Sequence, residues 1–201
     1  MNKFYKQKNS GFTIIEAMIA VFILTVSIAS MLGLTSSSIS TAKYTSNEII
    51  ANYLLQEAID SIRNTRDTLV FQGSNNSTDW TTFLNKYGDK DSKTMCFSDN
   101  GCIIDVNDFN GSPSLLVVEG CGSGGCKNIN YVDRNGDDYG SFYNYDDGVL
   151  SRFNRTIKMS MVSGYNNNQV KVEAIVSYTN GSAGNKKTMS LITYLLNWQN
   201  D

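Results

Sequence analysis

The sequence predicts an α+β fold: one long N-terminal helix, half membrane segment and half amphipathic, packed on a C-terminal antiparallel β-sheet. Three observations carry that reading. From Phe12 to Leu34 the chain is apolar or small, and Glu16 is its one charge. Apolar residues then recur at helical spacing from Ile50 to Ile62. The C-terminal quarter alternates apolar and polar residues with the period of strands.

The elements follow in order. Lys3, Lys6 and Lys8 make a short basic segment that ends at Gly11. At 1.5 Å per residue, the run from Phe12 to Leu34 forms a helix of roughly 35 Å, enough to cross a hydrocarbon layer of about 30 Å. The flanking lysines place the N-terminus on the cytoplasmic side. An ionised carboxylate in that layer costs about 2.5–3.5 kcal/mol, which makes Glu16 a candidate functional residue. Beyond the membrane, Ile50, Leu54, Ala58 and Ile62 line up with Leu55 and Ile59 beside them, while Glu48, Gln56, Asp60 and Arg63 fall largely elsewhere. Such a stripe requires a sheet or another helix to cover it. The helix is expected to run over residues 12–66. The polar stretch from Thr35 to Ser40 leaves a second reading open, in which a Ser/Thr linker separates two helices.

After residue 66 a globular, strand-rich head is expected, with a cysteine-containing insertion at about residues 72–150. Gly73 to Thr78 reads as a loop, and Trp80 to Tyr87 as a short helix with Trp80, Phe83, Leu84 and Tyr87 on one side. Ser114 to Glu119 reads as a strand, buried at Leu115–Val118, and Ile129 to Val132 as another. Ile157, Met159 and Met161, then Val170, Val172, Ala174, Val176 and Tyr178, alternate with polar residues. Turn sequences after Gly164 and Asn180 join these strands to a third, Lys187 to Trp198, predicting an antiparallel meander. The third strand is apolar on both faces toward its end, as expected if the helix covers it.

The string Gly11-Phe12-Thr13-Ile14-Ile15-Glu16-Ala17, with its basic leader, resembles the processing segment of type IV pilins and pseudopilins. That resemblance implies cleavage by prepilin peptidase between Gly11 and Phe12, and N-methylation of Phe12. It also implies that the Glu16 carboxylate meets the N-terminal amine of a neighbouring subunit during assembly. A pilin-like fold is implied too, as are further partners: other pilin subunits, the inner-membrane assembly platform, and lipid before assembly. The final location would be the cell surface. Ala51 to Ala58 and the stretches around Arg155, Val170 and Asn197-Trp198 resemble minor pilins and pseudopilins of the PilV and GspI kind. Two plainer readings stay open: a cleaved secretory signal ending at Ser27-Ile28-Ala29, and a generic single-span anchor. Neither accounts for Glu16. A lipoprotein signal is not supported, because no cysteine precedes Cys96.

Composition narrows function further. The chain has no histidine, which excludes Ser-His-Asp and Cys-His nucleophilic systems and any histidine-bearing zinc site. Its acids are scattered among Asn and Gly, and no pair marks an active site, so no enzyme and no cofactor are expected. Removing residues 1–11 takes away three lysines and no acid, moving the formal charge from −2 to −5. Nucleic acid is therefore not an expected partner.

Cys96, Cys102, Cys121 and Cys126 are even in number and, in an exported head, imply disulfides with three possible pairings. Two local pairs are favoured because each closes a short loop containing glycine; a four-cysteine zinc site is the competing reading. Asp133, Asn135 and Asp137 alternate like the start of a calcium loop, but Asn144 stands where such a loop has glutamate. A solvated turn explains them equally. Tyr131, Tyr139, Phe142, Tyr143 and Tyr145 form an aromatic cluster suited either to stacking on a ligand or to capping a small β domain. The sequence thus favours a structural filament subunit, with a filament-tip adhesin or a DNA-uptake pilin as the alternative.

Overall fold

The structure is a computed structural model that describes residues 11–72, 76–105, 116–134, 140–164, 167–180 and 185–198. The chain divides into two compact units, Met1–Ser46 and Asn47–Asp201. In the first, the described residues are almost wholly helix α1, which runs Ile14–Gln72 and so continues into the second unit. The Ser/Thr stretch does not break it. The hydroxyls of Thr35, Ser38 and Thr41 donate to the carbonyls of Met31, Leu34 and Ser37, four residues back, at 2.9, 2.9 and 3.0 Å. Each hydroxyl is thereby satisfied inside the helix instead of competing with it. Ser27 and Ser30 do the same within the apolar run. The large apolar residues of Phe12–Leu34 are all exposed, and this helix is long and apolar enough to cross a membrane by length and composition.

The second unit is built on the remaining turns of α1. Ala51, Leu54, Leu55, Ala58, Ile59 and Ile62 are buried, as their spacing requires. Helix α2, Asn76–Lys86, buries Trp80, Phe83 and Leu84, with Tyr87 just beyond it. The Trp80 ring stacks on Phe83 at 5.3 Å, and its indole N–H donates to the carbonyl of Asn167 at 2.7 Å. This tethers the insertion to the meander.

Among the described residues, seven strands form one sheet: β1 Cys102–Asp105, β2 Val117–Gly120, β3 Asn128–Val132, β4 Phe142–Asn144, β5 Val149–Met161, β6 Gln169–Asn180 and β7 Asn185–Leu196. All described pairings are antiparallel. Strand β5 is the hub. Its Phe153–Met161 stretch pairs with β6, so β3 and β1, which also pair with it, share its other edge. Phe153, Ile157 and Met159 of β5 and Val170, Val172, Ala174, Val176 and Tyr178 of β6 are buried. The predicted meander β5–β6–β7 is thus present, β5 beginning earlier than its alternation revealed.

One expectation fails at a sheet edge. Strand β2 exists, but Val117 is exposed and Val118 only half-buried, because β2 pairs with β1 alone and nothing flanks it among the described residues. Leu115 lies outside them. On β7 the outer-face residues Ile192, Tyr194 and Leu196 are exposed, opposite Glu173, Lys171 and Gln169 of β6. The inner face of β7 does meet α1, as expected: Arg63 donates to the Thr193 hydroxyl at 2.9 Å, Lys187 pairs with Glu48 at 3.3 Å, the Phe71 and Trp198 rings lie 6.3 Å apart, and Leu195 is buried. Strands β1 and β4 were not legible, being four and three residues long.

Among the described residues two charged side chains are buried, Arg155 and Asp105. Arg155, on the inner face of β5, is 3% exposed. Its guanidinium donates to the Glu57 carboxylate at 2.7 Å, to the Leu54 carbonyl at 3.1 Å and to the Ile104 carbonyl at 2.7 Å. It also sits 5.8 Å from the centre of the Tyr145 ring. Burial opposes the charge, but Tyr145 and Glu57 outweigh it and hold the group protonated. Burial pushes the hydroxyls of Tyr87, Tyr145 and Tyr178 above the ordinary tyrosine range. Next to Tyr145, the buried Asp105 carboxylate accepts that residue's backbone N–H at 3.1 Å.

Glu57→Ala leaves this guanidinium buried without its counter-charge and should destabilise the chain by about 3–5 kcal/mol. Adding Arg155→Met to it removes the stranded charge and should recover part of the loss, as read by chemical denaturation. A double variant less stable than Glu57→Ala would contradict the reading.

Candidate functional site

The site begins where the helix begins. Thr13 precedes the first helical residue, and its carbonyl accepts the N–H groups of Glu16 and Ala17 at 3.1 and 3.2 Å. Its hydroxyl receives the Glu16 N–H at 3.4 Å and donates to the Glu16 carboxylate at 3.5 Å. Thr13 is the N-cap and Glu16 the third helical residue, the Thr-x-x-Glu spacing of a capping box. The carboxylate therefore sits where the helix macrodipole favours an anion. The pattern was present in the sequence, but Thr13 does not stand out there beside the Gly-Phe junction and the lone acid.

No cation among the described residues pairs with Glu16, which is exposed. Phe12 is 75% exposed, ahead of the helix. A Cβ added at Gly11 would meet nothing within 4 Å, so the fold itself gives no reason for glycine there. The same is true of Gly33, which the helix crosses unbroken. Residues 11–16 thus present a small residue, an exposed aromatic and an anion without a counter-charge. This chain's own packing explains none of the three.

The other sequence candidates lie in the head. Cys96 is joined to Cys102 and Cys121 to Cys126, and no described cysteine is free. The first bond anchors a 3₁₀ turn, Met95–Phe97, to β1, and the second closes a small loop in which Gly122 and Gly125 bridge. Asp133 accepts a hydrogen bond from the Ser141 hydroxyl at 3.1 Å. Asn135 and Asp137, the rest of the calcium candidate, lie outside the described residues, as do Lys3, Lys6 and Lys8. Among the described residues no three acids or cysteines are grouped to hold a metal ion.

Part of the aromatic cluster packs against the β core. The rings of Tyr131 and Tyr143 lie 5.1 Å apart, Tyr143 meets Phe153 edge-on at 5.9 Å, and Phe153 meets Tyr178 at 5.4 Å. Tyr145 is buried against Arg155. Of the predicted cluster Tyr145 is buried, Phe142 and Tyr143 are half-buried, with Arg134 5.2 Å from the Phe142 ring centre, Tyr131 is exposed, and Tyr139 lies outside the described residues. Sequence reasoning missed the Arg155–Glu57 pair, whose members are 98 residues apart. The one signal available was an arginine in the inward phase of β5.

Residues 6–32 match a family model described as the prokaryotic N-terminal methylation motif. No curated protein and no solved structure matches the chain. The matched segment contains Gly11, Phe12, Thr13 and Glu16, and it fits the processing segment of a type IV pilin or pseudopilin.

The loops closed by the two disulfides span only six and five positions, so each bond should contribute about 2 kcal/mol through the unfolded chain. Intact mass should show two disulfides, and reduction should lower the thermal midpoint of the purified chain. Free thiols together with stoichiometric zinc would overturn this assignment.

Proposed function

We propose that the chain is a structural subunit, a minor pilin or pseudopilin, of a type IV pilus or type II secretion-like filament. Prepilin peptidase cuts after Gly11, the new amine of Phe12 is methylated, and the apolar helix passes from lipid into the core of a helical filament. The carrying observation is Glu16: a capped carboxylate with no described counter-charge, alone in an exposed apolar helix, inside the matched methylation motif. In lipid such an acid is costly, and an opposite charge from a second subunit offsets that cost. The amine of Phe12 supplies one once Gly11 is removed. A head-to-tail contact of this kind repeats without closing and so builds a filament. The absence of histidine, which excludes the common nucleophilic triads, accords with a structural role.

Glu16→Ala tests the contact. Membrane insertion and cleavage at Gly11 should persist, because the substitution removes a charge from lipid and lies beyond the scissile bond. Incorporation into sheared filaments should fall about tenfold or more, since the partner amine is then buried alone at a cost of about 3–5 kcal/mol. Glu16→Gln should be milder, keeping an acceptor. Wild-type incorporation of the Ala variant would rule out this contact.

A further inference from the structure

The outer face of the head sheet carries a groove of about 740 Å³, within the usual size range of ligand clefts. Its floor is the solvent-side row of β5, β6 and β7, and its wall is the Ser123–Cys126 part of the second disulfide loop. In an acidic chain, this lining is cationic. Arg152, Lys158 and Lys186 contribute to it, and no Asp or Glu does. None of the three has an ion-pair partner among the described residues. Most of the remaining lining is hydroxyl and amide.

The register concentrates charge at one end. Thr179 of β6 stands opposite Lys186 of β7, and Arg152 is one residue beyond the Phe153–Tyr178 pair. Arg152, Thr179 and Lys186 therefore share one row across three strands. With about 4.8 Å between strands, two cations face each other across about 10 Å with a hydroxyl between them. At the far end Lys158 stands opposite Glu173, whose carboxylate is engaged by Lys171 at 3.2 Å. The wall is fixed in advance. The Asn154 amide donates to the Lys127 carbonyl at 3.1 Å, and the Thr156 hydroxyl to the Cys126 sulfur at 3.1 Å. A site held this way loses little entropy on binding.

We infer that this groove binds an acidic polysaccharide, a uronate-type chain whose carboxylates lie between Arg152 and Lys186 and whose hydroxyls meet the Asn, Ser and Thr lining. Charge supplies the affinity. The one aromatic of the lining, Tyr178, is 1% exposed, so neither a neutral sugar nor a base has a ring to stack on. Three cations are also few beside the six to ten phosphate contacts of typical DNA binders. The inference stands whether or not the chain assembles into filaments.

Oligogalacturonate titrated by calorimetry into the full chain in detergent tests it, beside neutral galactan, single-stranded DNA and poly-glutamate of matched length. Oligogalacturonate should bind and weaken as salt rises, and Arg152→Gln with Lys186→Gln should reduce its affinity at least tenfold at an unchanged thermal midpoint. Lys90→Gln, outside the groove, should leave it unaltered. No binding at millimolar sugar, or binding unaffected by the double substitution, would overturn the inference. So would equal binding of galactan, DNA or poly-glutamate.

Discussion

The head is organised around one buried guanidinium. Arg155 enters from β5, the strand with most partners, and reaches a carboxylate and a carbonyl of α1 and a carbonyl of β1. These groups belong to the amphipathic part of the helix, the central strand and the cysteine-bearing insertion. An apolar side chain would bury as well but would not fix the register of helix against sheet. A buried ion pair adds little net stability, because desolvation offsets most of its attraction. The pair's role in this head is to make other packings costly, since any slip of α1 strands a charge. Tyr145 and Asp105 extend the constraint to the end of β4 and the end of β1.

The first half of α1 answers to a different solvent. Its large apolar residues are exposed, and the hydroxyls of Thr25, Ser27, Ser30, Thr35, Ser38 and Thr41 donate to the helix's own carbonyls. That arrangement suits an environment without water, where every polar backbone group must be satisfied within the segment. The continuity of the helix through Thr35–Thr41 follows from the same bonds. The one group left over is the Glu16 carboxylate, which capping by Thr13 only partly accommodates. On the proposed assembly, lipid serves as a holding state and a second subunit supplies the counter-charge that the helix lacks.

Much of this was legible where the physics is local. The stripe from Ile50 to Ile62, the meander of β5–β7 and the burial of Trp80, Phe83, Leu84 and Tyr87 all follow from period and side-chain type, and the structure places them so. What failed was non-local. Val117 and Ile192 look like core residues, but Val117 is exposed because β2 ends the sheet and Ile192 because its face of β7 lies opposite Glu173 on the outer side, and no window of sequence contains that information. Strands β1 and β4 are too short for a period to register. The Arg155–Glu57 pair joins distant segments through tertiary packing. The outer groove was invisible for the same reason, because Arg152 and Lys186 become neighbours only across β6.

The account rests on the N-terminal segment being processed and carried into a filament. The direct measurement is mass spectrometry of the chain's N-terminal peptide, taken separately from sheared extracellular filaments and from membranes. The account predicts filament-derived peptides beginning at N-methylated Phe12, with residues 1–11 retained only in the membrane fraction. A mature chain beginning at Ser30, or an uncut chain found only in membranes, would contradict it.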